Sequence, residues 1–177
     1  KMKKTRLLLF IGSLLPVIAL GQTDKPDFSE INNPVIWKIF KRNVVATESG
    51  KEEIVSFDAR QGDGIAIFQN IEFENGTIEF DVKGKNVFQQ SFVGVAFHIQ
   101  DEKTFNAIYF RPFNFKNEDP ARKNHAVQYI CHPEYTWQKL RSDFPEKYEN
   151  PVNPVPDPDR FFHAKIIVQS PGVKVFI

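Results

Sequence analysis

The sequence predicts an all-β protein, a two-sheet antiparallel β-sandwich that is incomplete at its C-terminus. Three observations predict it. After residue 21 the only leucine is Leu140, and Phe, Val and Ile supply the apolar mass; that composition favours strands over helices. Short segments alternate apolar and polar residues along most of the chain, the period of a half-buried strand. Past residue 21 no window carries a sustained helical period, and only Trp37 to Val45 is expected to form a short helix. Many antiparallel strands with few helices pack as two layers.

Residues 1–21 stand apart. Lys1, Lys3, Lys4 and Arg6 precede an apolar run from Leu7 to Leu20, and Ala19-Leu20-Gly21 has small residues where a leader peptidase cuts. The expectation is a secretory signal peptide over 1–21, a mature chain starting at Gln22, and a secreted or periplasmic location. The apolar run is short for a bilayer span, and no cysteine follows it to carry a lipid. Residues 22–49 read as a lead-in segment and 50–177 as one sandwich domain.

Within that domain the strand candidates are Ile54 to Phe57, Ile65 to Phe68, Ile78 to Val82, Val93 to Ile99, Ala107 to Phe110, Ala126 to Ile130, Ala164 to Val168 and Val173 to Ile177. Asn75-Gly76 between two of them predicts a hairpin, because both residues tolerate positive φ. Pro133 to Pro158 holds six prolines and is expected as a long ordered loop over a sheet, anchored by Tyr135, Trp137, Phe144 and Tyr148. The last segment stops in mid-pattern, which predicts further strands beyond Ile177 to cover an apolar edge.

Charge narrows the partners. Without the four leader cations, 19 Lys+Arg face 22 Asp+Glu, a net charge of −3. No basic stripe runs along the chain, so neither nucleic acid nor an anionic membrane surface is expected as partner. The single cysteine, Cys131, cannot pair within the chain. It sits in an apolar run and reads as a buried small hydrophobe; His132 beside it points to the opposite strand face.

The segments GDGIAIFQNIEFENGTIEFDVKG, FVGVAFHIQDEKTFNAIYFRPFNF and HAVQYICHPEYTWQKLR together resemble secreted bacterial members of the concanavalin A-like lectin/glucanase superfamily. The likeness is to laminin G-like jelly rolls and to the DUF1080-type proteins, over roughly residues 50 to 177. It implies a curved sheet whose concave face holds glycan. Retaining glucanases of that superfamily carry three alternating acids on one strand. Glu79-Phe80-Asp81 supplies two, then Lys83 and Gly84 follow, so the third acid is missing. Glu79 and Asp81 remain the hydrolase candidates, since hydrolysis needs two carboxylates at a set separation.

Strand parity selects a second group. In 93–99 the residues Val93, Val95, Phe97 and Ile99 share one face, leaving Gly94, Ala96 and His98 on the other. In 106–111 Ile108 and Phe110 belong to the core, so Tyr109 and Arg111 share the opposite face. If these strands are neighbours, His98, Tyr109, Arg111 and Gln128 gather on one outer face, with Asn114, Tyr135 and Trp137 at its rim. Aromatic rings stack on the C–H faces of a pyranose, and guanidinium and amide groups bond its hydroxyls. The competing reading pairs Arg111 with Glu134 or Asp143, pinning the long loop on the sheet.

The expected function is recognition of a poly- or oligosaccharide, alone or as an accessory to saccharide degradation. A glycoside hydrolase is one alternative, as is a polysaccharide lyase using His98 or Tyr109 as base beside Arg111 and Gln128. A structural or adhesion module whose groove its own loop fills is another. No cofactor is expected. The four histidines lack paired zinc spacing, and Asp58 with Asp63, or Asp157 with Asp159, are the candidates for a structural calcium.

Overall fold

A computed structural model describes residues 23–177 except 51 and 70. The expected leader lies outside the described residues. Of the described residues 42% are in strands and 11% in helices, which makes the fold all-β. In order come β1 (Trp37–Phe40), β2 (Val44–Ser49), β3 (Glu52–Phe57), β4 (Ile65–Phe68), β5 (Gly76–Val82), β6 (Val93–Asp101) and β7 (Thr104–Phe110). Then follow α1 (Pro112–Phe115), α2 (Pro120–Asn124), β8 (Val127–His132), α3 (Trp137–Asp143), β9 (Glu149–Asn150), β10 (Phe162–Gln169) and β11 (Gly172–Phe176). All eight predicted strands are present. No helix among the described residues is long and apolar enough to cross a membrane.

Two antiparallel sheets, β6-β7-β8-β9 and β11-β10-β5, form the sandwich. Alternation decides which side chains lie between them. β10 buries Phe162, Ala164, Ile166 and Val168, and β5 turns Ile78, Phe80 and Val82 to the same side. The facing sheet contributes Val93, Val95 and Phe97 from β6, Ile108 and Phe110 from β7, and Val127 from β8. Phe110 and Phe115 meet Phe162 edge-on, with ring centroids 5.2 and 5.3 Å away. Edge-to-face contact matches the positive ring edge to the negative ring face.

At Gly94 the β7 backbone comes so close that a Cβ would lie 2.1 Å from the Ile108 carbonyl oxygen and 2.6 Å from Tyr109 Cα. Gly94→Ala is therefore expected to cost about 1–3 kcal/mol as the strands part. Denaturant unfolding checks this, and an unchanged midpoint would show that the strand pair relaxes freely.

Two expectations are corrected. Trp37 to Val45 is not helical: β1 pairs with β4, Trp37 opposite Phe68, and β2 starts at Val44. Trp37 is 7% exposed, packed on Phe28 and Phe68, so burial between partners distant in sequence overrides local preference. Asn75-Gly76 is not a hairpin turn. β4 and β5 lie in different sheets, and β5 instead pairs with β10. Gly76 does adopt positive φ, +154°, and Asn75 Oδ1 accepts from Ser170 N at 2.8 Å, so the pair tucks against the β10–β11 turn. Strands from either side of residues 49 and 50 pair, β1 with β4 and β2 with β3, and build a satellite core on Ile31, Trp37 and Val44.

The segment 133–158 is more ordered than a loop. Thr136 caps α3, accepting from Lys139 N at 3.3 Å, which satisfies an otherwise orphaned donor. Leu140 is 2% exposed and packs with Ala107 and Ile130 on the face of β7 and β8 that points away from the main core.

Candidate functional site

Arg111 follows β7 directly, and Pro112 opens α1 behind it. Tyr109 lies opposite Gln128 in the β7–β8 register, and Gln128 lies opposite Glu149 in the β8–β9 register. These pairings, with the two-residue period, place Tyr109, Arg111, Gln128 and Glu149 together on the outer face. Arg111 is not open to solvent: it is 5% exposed, Gln128 0% and Glu149 4%.

Both terminal nitrogens of the guanidinium are engaged twice over. Nη2 donates to Tyr109 Oη at 2.8 Å and to Gln128 Oε1 at 3.2 Å. Nη1 donates to the His125 carbonyl at 2.8 Å and reaches Glu149 Oε2 at 3.4 Å. Three rings surround it, with centroids 4.9 Å (Tyr109), 6.0 Å (Phe92) and 6.0 Å (Trp137) from Cζ. An arginine directly after an apolar strand is thus a buried cation whose hydrogen bonds and aromatic walls replace water.

Glu149 is the hub, in place of the expected Glu134 or Asp143. Asp143 pairs with Lys139 on α3 at 2.7 Å instead. Arg141 Nε donates to Glu149 Oε1 at 2.6 Å and its Nη2 to Oε2, the bidentate fork that suits a carboxylate. His125 Nδ1 sits 2.7 Å from Oε2 without hydrogen-bond alignment. Burial raises the Glu149 carboxyl, but the Arg141 bond and charge, with His125 and Arg111, outweigh it and hold it below the ordinary range. Burial also pushes His125 down, so it is neutral at neutral pH, and lifts the Tyr109 hydroxyl to about 12. Tyr109 is therefore a fixed, protonated partner.

Of the residues singled out in the sequence, Tyr109, Arg111, Gln128 and Trp137 converge. Asn114 is buried beneath the cluster, not at its rim, with Nδ2 donating to the His125 carbonyl at 3.3 Å. Tyr135 packs with Leu140 and Ile130, and its backbone bridges to Cys131.

His98 leaves the group. A register irregularity between Phe97 and Asp101 and a φ of +51° turn it out of alternation. Its Nε2 meets the Glu74 carbonyl at 2.6 Å and its Nδ1 the Asn106 amide at 2.9 Å. Asn106 has the parity of Ile108 and Phe110, opposite to Tyr109, and its Oδ1 accepts from Tyr129 Oη at 3.1 Å.

Glu79 and Asp81 lie on the outer face of the other sheet, away from the Arg111 cluster. They form exposed cross-strand pairs with Lys165 at 2.7 Å and His163 at 3.2 Å. Cys131 is partly buried, and His132 stacks on Phe105 across the strand. Asp58 accepts from Asn43 N and pairs with Arg60, while Asp157 accepts from Asp159 N within its turn and Asp159 accepts from the distant Asn86 N. Among the described residues no group of three His, Cys, Asp or Glu is placed to hold a metal ion.

What the sequence reading missed is the aromatic surface beside the cluster. Phe88 is 49% exposed, Phe92 52% and Trp137 37%. Phe113 links Phe88 and Phe92, with centroids at 5.7 and 5.5 Å, and Phe92 meets Tyr109 at 6.0 Å. Arg122 lies over Phe88 at 4.6 Å and Arg141 over Trp137 at 4.7 Å. The stretch Val87-Phe88-Gln89-Gln90-Ser91-Phe92, with two phenylalanines separated by polar residues and no strand alternation, was the available signal.

No family model matches the chain, and comparisons with curated proteins and with solved structures find no match either.

Proposed function

We propose that this protein binds carbohydrate on the aromatic surface formed by Phe88, Phe92 and Trp137. The observation that supports it is two partly exposed rings, Phe92 and Trp137, set against the buried Arg111, with a third, Phe88, joined to Phe92 through Phe113. A side chain locked by packing and hydrogen bonds loses little entropy when a ligand stacks on it. Rings, exposed Gln89 and Gln90, and the guanidinium groups of Arg122 and Arg141 offer stacking faces and hydrogen-bond donors together, the combination that hydroxyl-rich, C–H-faced sugars require. The concanavalin A-like resemblance points to the same ligand class, and an exported protein would meet such polymers outside the cell.

The test is titration of soluble β-glucans, xylans and uronate polymers, followed by tryptophan fluorescence. Trp37 is buried in the satellite core, so a ligand-dependent change reports Trp137. Trp137→Ala and Phe92→Ala are each expected to weaken binding up to about tenfold, the worth of one aromatic contact, with small changes in melting temperature. Absence of binding by the folded protein would favour a structural or adhesion module. One observation favours that second reading: α3 already covers part of the same sheet face through Leu140.

A further inference from the structure

We infer that the saccharide is bound as an extended chain, along its length and over several units, and not by its end or as a single sugar; this rests on the saccharide reading above. The rings form a continuous run. It passes from Arg122 over Phe88, through Phe113 and Phe92, to Tyr109 and Arg111, and on to Trp137 and Arg141. Its exposed stations are Phe88, Phe92 and Trp137, separated by buried Phe113 and Arg111. One sugar face covers one ring, so three separated stations call for successive units of one chain.

The surroundings fit that occupant. Clefts of about 180 and about 100 Å³ lie elsewhere, the first lined by Ser29, Thr47, Glu48 and Glu53, the second by His98, Asn106 and Tyr129. Neither includes a ring of the run. The run lies outside both clefts, on surface where Phe88, Phe92 and Trp137 are partly exposed, and an open surface lets a polymer enter and leave. The guanidiniums on the run are already matched by carboxylates: Arg111 and Arg141 by Glu149, Arg122 by Asp119 at 3.7 Å. The gain in affinity with length therefore comes chiefly from stacking at successive stations, each contact adding to the last.

The experiment uses length ladders of β-1,4-glucose, β-1,3-glucose and uronate oligomers, each from monomer to hexamer, with calorimetry and Trp137 fluorescence. For the linkage that binds, affinity is expected to climb by about tenfold or more between dimer and hexamer and then level off. Phe88→Ala and Trp137→Ala remove end stations, so each should lower affinity for the longest oligomers and leave a shorter plateau. Phe92→Ala removes the middle station and should weaken all but the shortest.

A monomer that binds as tightly as the hexamer, or end-station variants that weaken all lengths equally, would overturn the extended chain while leaving saccharide binding in place. If no length of any ladder binds but the soluble polymers do, recognition needs a stretch longer than six units or a folded form of the polymer, and the inference of a single extended chain on three stations fails. No binding by any oligomer or polymer defeats the saccharide reading itself.

Discussion

Replacing Glu149 with alanine is expected to cost about 3–5 kcal/mol, the range for removing one partner of a buried ion pair. Two guanidiniums depend on this carboxylate. Arg141, partly exposed, can turn to water, but Arg111 cannot, since its side chain is 7% exposed beneath Trp137 and Tyr109. The variant leaves a buried cation uncompensated and detaches β9, whose two residues are held by Gln128 and Val127. Denaturant unfolding measures the loss. A cost under about 1 kcal/mol, the level of an exposed pair, would show that the hydrogen bonds to the His125 carbonyl, Tyr109 and Gln128 suffice for Arg111.

The same groups set a pH dependence. The folded Glu149 carboxyl lies below its ordinary value, so its contribution is present above the unfolded pKa of about 4.3 and is lost as pH falls through the folded value. His125 is also depressed, chiefly by burial. Its contribution is present above about 6.5 and declines as pH falls below that. Melting temperature should therefore begin to fall below about pH 6.5 and fall more steeply in the carboxylate range. A His125→Gln variant should lose the first decline and keep the second.

Replacing Arg111 with alanine is the second large effect, at about 3 kcal/mol. It costs less than the loss of Glu149, because Glu149 keeps its bidentate partner Arg141. Gln128 Oε1, fully buried, then loses its donor, and an unsatisfied buried acceptor costs about 1–3 kcal/mol. The void beneath Trp137 adds the rest. Arg111→Lys should not restore stability, since one ammonium cannot span Tyr109, Gln128, His125 and Glu149 at once. Sugar binding should weaken in step with the melting temperature. Lost binding at unchanged stability would make Arg111 a direct ligand contact instead of the support beneath one.

Strand content was legible because alternation is a local signal: Ile78 to Val82 and Val93 to Ile99 announce their core faces without knowledge of their partners. Trp37 to Phe40 was misread because four residues carry too little period to tell helix from strand. The parity of Tyr109, Arg111 and Gln128 was legible for the same local reason. His98 was not, since one irregularity after Phe97 shifts everything beyond it, and nothing in Phe97-His98-Ile99 marks the left-handed residue. Glu149 was invisible as the partner of Arg111 because 38 residues separate them, and only the β8–β9 register brings them together.

By itself the sequence determined eight of the strands, the faces they bury and the residue types around Arg111, all of which follow from spacing along the chain. The tertiary structure alone decided which strands pair, that β5 reaches β10 and not β4, and that Glu149 and not Asp143 holds the arginine. It alone also decided that Phe88, Phe92 and Trp137 are left partly exposed along one run of rings. The reason is physical: alternation states what a residue turns away from, whereas pairing and burial depend on segments that meet only when two sheets close over a common core.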